Sequence, residues 1–217
     1  MNFFDKQKIK AVIFDLDGII IDSEPWQKIA FERTLKPYGI KLTNKEFARF
    51  IGIRTYENFV YLKSKYNLPL SAKELTKIKN QYYEEILKKQ AHPREGLIEL
   101  LNYLQPQYVL SVASGSIKKD VMGTLRLLNI EKYFKLILTG DDIKNGKPDP
   151  EIFIKTAQRL NLFPRQCVAI EDSENGVKSA KRAGMYVIAA PTSSTKYHNF
   201  KDADIIIKNL AEIKNLL

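Results

Sequence analysis

The sequence predicts an α/β protein, a parallel sheet wound on both faces by helices, with a helical insertion placed after the first strand. Three observations carry that prediction. Short apolar runs alternate with helical patterns along most of the 217 residues, which is the order that builds a parallel sheet. Several of the apolar runs stop at polar clusters. Between Glu24 and His92 the alternation lapses and only helical periodicity remains.

The elements follow in order. "AVIF" (11–14) reads as a strand buried on both faces. Further strands are expected at "YVLSVA" (108–113), "LIL" (136–138), "CVAI" (167–170), "YVIA" (186–189) and "DIII" (204–207). Helical patterns at 96–104, 117–128, 150–161 and 175–183 separate most of them. The insertion carries helical periodicity at 25–37, 43–50, 55–66 and 71–90. Asp22-Ser23-Glu24-Pro25 and His92-Pro93-Arg94 would be its hinges, with the prolines marking helix starts. The chain is thus expected to divide into an α/β core, 1–22 and 93–217, and a helical domain, 23–92.

Composition narrows the function classes. A hydrophobic content of 44% and a charged content of 28% are those of a soluble globular chain. There is no run long enough to span a bilayer and no apolar leader, so neither a membrane partner nor secretion is expected. The one cysteine, Cys167, rules out an internal disulfide; it reads as a buried strand thiol and fits the cytoplasm. A formal charge of +10 raises the question of nucleic acid. Its lysines are interleaved with glutamates, as in "KELTKIKNQYYEEILKK", so they are assigned to solvated helix faces. No nucleic-acid partner is expected, and a monomer is.

The strand ends hold the chemistry. In a parallel sheet the carboxyl ends share one rim, where ligands bind. The first strand runs into Asp15 and Asp17, "YVLSVA" into Ser114-Gly115-Ser116, "LIL" leads on to Lys147, and "CVAI" ends in Glu171-Asp172. Carboxylates gathered in one cleft repel unless a cation neutralises them. Oxygen ligands without His or Cys point to Mg²⁺ accompanied by a substrate phosphate. Lys147 adds positive charge, Ser114 a hydroxyl, and Gly115 room for backbone N–H groups to approach a phosphoryl oxygen.

"FDLDGIIIDSEP", "ASGS", "GKPDPEIF" and "AIEDSENGVKSAKRAGM" stand in that order. Together they resemble the haloacid dehalogenase superfamily, in its branch of phosphatases and β-phosphoglucomutase-like proteins with a helical cap. The resemblance covers essentially the whole chain and implies a Rossmann-like, doubly wound core. It implies Asp15 as nucleophile and Asp17 as general acid, then base. It implies Mg²⁺ on Asp15, Asp172 and the main-chain carbonyl of Asp17, with Glu171 helping directly or through water. Ser114, Gly115 and Lys147 would hold the transferring phosphoryl group. Dehalogenating relatives lack the second aspartate, so phosphoryl transfer is the expected reaction.

Specificity is expected in the cap. "FIGIRTYENF" (50–59) resembles the family's Gly-containing substrate loop, so Gly52 and Arg54 are candidates there. Arg54 either clamps a remote anionic group or pairs with a surface carboxylate. Lys79 and Ser116 are further substrate-contact candidates. Asp22, Ser23 and Glu24 either cap the first insertion helix or touch substrate. Asp149-Pro150 reads as a helix N-cap, His92 and His198 receive no chemistry, and Trp26 reads as packing. Mutases of this branch carry an arginine three positions after the glycine and a histidine at the place of Gln27. Here those places hold Thr55 and Gln27. The expectation is therefore a Mg²⁺-dependent phosphatase of a small phosphorylated metabolite such as a sugar phosphate. The alternatives are a sugar-phosphate mutase and a basic, non-catalytic binding protein.

Overall fold

The computed structural model describes residues 6–51 and 53–217. Among them are six strands: β1 (Ala11–Phe14), β2 (Val109–Ala113), β3 (Leu136–Leu138), β4 (Cys167–Glu171), β5 (Tyr186–Ala189) and β6 (Ile205–Ile206). They form one sheet in the order β3-β2-β1-β4-β5-β6, and every neighbouring pair is parallel. The strand order reverses between β1 and β4, the switch point where such sheets open a crevice. The register sets Phe14 level with Val112 and with Ile170. The residues that follow β1, β2 and β4 therefore emerge side by side.

Alternation along β1 builds two layers. Val12 and Phe14 join one apolar cluster with Leu97, Leu100 and Leu101 of α5 (Leu97–Leu104) and Val121 of α6 (Lys118–Leu127). Ala11 and Ile13 face the opposite way, into a cluster with Phe153 of α7 (Glu151–Arg159) and Val177 of α8 (Glu174–Arg182). Cys167 is buried in that second layer, where burial pushes its thiol up to about 12. A buried, protonated thiol is a packing group.

The insertion consists of helices that we number by chain order as α1 (Glu24–Leu35), α2 (Asn44–Ala48), α3 (Thr55–Tyr66) and α4 (Ala72–Gln90). It has its own apolar cluster, in which Phe31, Phe47, Phe50 and Phe59 meet. Ring centroids of Phe31 and Phe59 lie 4.9 Å apart. Capping boxes Thr43–Glu46 and Ser71–Glu74 start α2 and α4. Where the insertion joins the core, the Trp26 and His92 rings meet at a tilt of 56° with centroids 5.5 Å apart. No described helix is long and apolar enough to cross a membrane.

Boundaries shift from expectation in small ways. Tyr108, Asp204 and Ile207 fall outside the strands, while Glu171 is the last residue of β4. The first insertion helix stops at Leu35, and Lys36–Tyr38 form a single tight turn, because Pro37 lacks the N–H that would continue the helix. A short C-terminal helix, α9 (Ile213–Leu216), is an element that the sequence reading did not include.

Candidate active site

Just past β1 the chain doubles back tightly. Ile20 and Ile21 donate to the Leu16 carbonyl at 2.9 and 3.1 Å, and Gly18 donates to the Ile21 carbonyl at 2.7 Å. Gly18 sits at φ +83°, and a Cβ there would fall 2.1 Å from Asp172 Oδ2. Only glycine permits both the turn and the close approach of β4's carboxylate. Arg94 locks the turn from the return hinge, donating through Nη1 to the Gly18 carbonyl at 2.5 Å and the Ala190 carbonyl at 2.8 Å.

Three carboxylates meet at this rim. Oxygens of Asp15, Glu171 and Asp172 lie within 4.8 Å of one another, and all three residues are buried. One ammonium answers them: Lys147 Nζ donates to Asp15 Oδ1 at 2.6 Å, Glu171 Oε1 at 2.5 Å and the Ala113 carbonyl at 3.2 Å. Lys147 arrives from the loop between β3 and α7, through a cis peptide to Pro148. The other oxygen of Glu171 accepts from Ser173 Oγ at 3.2 Å and from the Asp172 N–H at 3.1 Å. At Gly176 a Cβ would come within 2.0 Å of that carboxyl group, so α8 can start here only with glycine.

Negative charge is in surplus. Burial, aided by Glu171 and Asp17, raises Asp15 to about 7 even with Lys147 pulling it down. Burial and four neighbouring carboxylates push Asp172 well above the usual carboxylate range. Burial alone would lower Lys147, but Asp15 and Glu171 outweigh it and raise it above an ordinary lysine. Asp172 Oδ2 is buried with no hydrogen-bond partner. Hard oxygens, surplus charge and one orphaned acceptor fit a small divalent cation.

Asp17 stands apart from that cluster, held by neutral donors. Ser23 Oγ and Gln27 Nε2 donate to its Oδ1, the latter at 3.3 Å, and Ser116 Oγ donates to Oδ2 at 3.0 Å. Lys79 Nζ donates in turn to Gln27 Oε1. Lys79 is almost fully buried, between the rings of Tyr83 (4.7 Å) and Phe31 (5.4 Å), and burial lowers it to about 8. Glu24, also buried, is raised to about 8 by burial and by Asp17. Ser23 does not cap α1; its hydroxyl serves Asp17 instead.

Asp15, Asp17, Glu24, Gln27, Lys79, Lys147 and Asp172 line a cavity of about 380 Å³ between the strand ends and the insertion. Ser114 and Gly115 face it from the end of β2, and space is open where Gly115 would carry a side chain. Ser114 Oγ accepts from the Ser116 N–H at 3.1 Å. Arg54 reaches across from the insertion, its Nη1 donating to the Lys144 carbonyl at 2.9 Å and Nη2 to the Ile143 carbonyl at 3.2 Å. It makes no ion pair with a described carboxylate. Gly52 lies outside the described residues. Asp149 does cap α7, its Oδ1 accepting from the Glu151 N–H at 3.0 Å.

Sequence reasoning did not place Ser23 or Gln27 on Asp17. Their spacing of four residues puts both on one face of α1, a signal that was there to be read. Arg94 and His198 carried no such signal. His198 bridges core and insertion, with Nδ1 accepting from the Glu174 N–H at 3.3 Å and Nε2 lying 3.2 Å from the Ala48 carbonyl. Both of its partners are backbone groups.

A buried carboxylate facing such a cavity beside an ammonium can act as a nucleophile, and a second, separately held carboxyl group can move protons. Comparison with known proteins agrees with that chemistry. The chain is 35% identical over 182 residues, 82% of each chain, to the phosphorylated carbohydrates phosphatase of Thermotoga maritima. It is 27% identical over 179 residues, 82% of this chain and 95% of the other, to the fructose-1-phosphate phosphatase of Escherichia coli. The crystal structure of β-phosphoglucomutase from Clostridium difficile superposes with a TM-score of 0.82 at 25% identity, covering 95% of this chain and 96% of that one. The sequence profile of haloacid dehalogenase-like hydrolases matches residues 12–190, and the chain belongs to that family.

Proposed function

We propose that this chain is a Mg²⁺-dependent phosphatase of small phosphorylated metabolites, with phosphorylated carbohydrates as the favoured class, working through a phosphorylated Asp15. The observation that carries the reading is the division of labour between the two aspartates. Asp15 sits in contact with Lys147, whereas Asp17 is held only by Ser23, Gln27 and Ser116. An Asp15 carboxylate oxygen attacks phosphorus and the ester P–O bond breaks. Asp17 gives its proton to the departing alkoxide oxygen. Asp17 then takes a proton from water, the hydroxide oxygen bonds phosphorus, and the Asp15–phosphorus bond breaks to release phosphate. Lys147 and Ser114 hold the phosphoryl oxygens as charge develops on them.

Mg²⁺ would be held by Asp15, Asp172 and the Asp17 main-chain carbonyl, with Glu171 behind them, and would neutralise the repulsion between substrate phosphate and these carboxylates. Hydrolysis is favoured over mutase chemistry because Gln27, not histidine, lies against Asp17, and because the Arg54 guanidinium is engaged by backbone carbonyls. A single cysteine, free and buried, fits the cytoplasm as its place of work, and a monomer suffices because one chain supplies every group named.

Phosphate release from p-nitrophenyl phosphate and a panel of sugar phosphates tests the reading. It should require Mg²⁺ and vanish in Asp15→Asn. Release that survives both treatments rejects the mechanism. Conversion of β-glucose 1-phosphate to glucose 6-phosphate with little free phosphate would make the chain a mutase instead.

A further inference from the structure

Arg54 lines the cavity, yet its guanidinium is engaged by the core. Both terminal nitrogens donate to carbonyls of the core loop, Ile143 and Lys144, and Nε is buried without a partner. Its stem lies flat on Gly146, where a Cβ would come within 3.0 Å of Nε and 3.3 Å of Cδ and Cγ. The loop so gripped leads directly into Lys147. Its opposite side is tied to the core: Glu151 accepts from the Lys144 N–H at 3.0 Å and from the Asn145 N–H at 2.8 Å. Two of the loop's N–H groups are therefore satisfied by its own core, whereas two of its carbonyls are satisfied by the insertion.

We propose that Arg54 is a positioning residue: by gripping the 143–146 loop when the insertion is closed, it sets Lys147 against Asp15 and so couples closure to catalysis. The proposal rests on the phosphatase reading for the role of Lys147. The fork geometry of guanidinium lets one side chain hold two adjacent carbonyls, which an ammonium cannot reproduce. Released from it, Lys144 to Gly146 lose their only polar contact with the insertion among the bonds described, and Lys147 loses its fixed approach. A displacement near 1 Å at a positioning group costs on the order of 10²-fold in rate.

The test measures kcat and KM for p-nitrophenyl phosphate and glucose 6-phosphate in Arg54→Ala, Arg54→Lys, Gly146→Ala and the Arg54→Ala/Gly146→Ala double variant. We expect Arg54→Ala to lower kcat about 10- to 100-fold on both esters with KM changed less than about threefold. Arg54→Lys should recover part of the loss. Gly146→Ala, which crowds the arginine stem, should lower kcat in the wild-type background and have no effect once Arg54 is gone. Loss confined to KM for glucose 6-phosphate would make Arg54 a substrate ligand and overturn the proposal. Multiplicative effects in the double variant would overturn it as well. Amide hydrogen exchange at Lys144 and Asn145 gives a readout independent of turnover, and should speed up several-fold in Arg54→Ala. Unchanged exchange rejects the grip even if the enzyme is a phosphatase. Faster exchange in a protein that hydrolyses no ester keeps the grip and rejects the phosphatase reading instead.

Discussion

The rim of the sheet and the helical insertion both deliver polar groups to one cavity, by different physical means. At the rim, Asp15, Ser114 and Glu171 stand at or one residue beyond the last strand positions, and the ladder between β1, β2 and β4 fixes their relative heights. From the insertion, Gln27, Lys79 and Arg54 reach in on long side chains from helix faces or helix ends. Backbone hydrogen bonds therefore place the reacting groups, and helix packing places the groups that orient them.

That contrast can be broken or sharpened by experiment. The largest loss is expected at the rim: Asp15→Asn should lower kcat on the order of 10⁴-fold in a phosphate-release assay. Residual turnover above about 1% would mean that the rim does not carry the chemistry. Chelation should come next, with phosphate release falling ~10²-fold or more and returning when Mg²⁺ is added back.

A pH-dependent melting experiment probes the same cluster. Asp15 at about 7, Glu24 at about 8 and Asp172 also raised lie above their unfolded values. Raised carboxyl groups bind more protons folded than unfolded, so the metal-free protein loses their contribution as pH climbs from the ordinary carboxylate range through about 8. Excess Mg²⁺ should therefore raise Tm more at pH 8 than at pH 5, and an equal or smaller gain at pH 8 would contradict the charge surplus.

Effects in the insertion should be milder. Lys79, lowered to about 8, holds Gln27 most firmly as an ammonium, whose charged N–H is the stronger donor. In the free enzyme kcat/KM should fall above about pH 8, and Lys79→Met should lower it roughly tenfold and remove that alkaline limb. A limb that persists in the variant would assign it elsewhere. The smallest effect belongs to Ser71→Ala, which removes a capping box far from the cavity. It should lower Tm by roughly 2–4 °C with kcat unchanged.

The same contrast explains what could be read from the sequence. Strands β1 and β5 appear where the apolar runs predict them, because a strand flanked on both sides in a parallel sheet must be continuously apolar and its polar end must be abrupt; β3, at the edge of the sheet, follows its three apolar residues alone. The four polar clusters were legible for that reason. The insertion's contribution was legible only as helices. Ser23 and Gln27 could have been paired with Asp17 by helical spacing, but Arg54, Arg94 and His198 spend their donors on carbonyls. A carbonyl exists at every residue and leaves no trace in side-chain pattern. The bond from His198 to Ala48 spans 150 positions, a separation over which local periodicity says nothing.

The tilted ring pair at the seam between insertion and core has a spectroscopic use. Trp26 is the chain's one tryptophan, and its indole sits against the His92 imidazole where the inserted helices leave and rejoin the sheet. Indole emission responds to a change in the contact between the two rings. The protein thus carries one native fluorophore at that seam, and stopped-flow mixing with phosphate and Mg²⁺ can follow a change in its surroundings without a label.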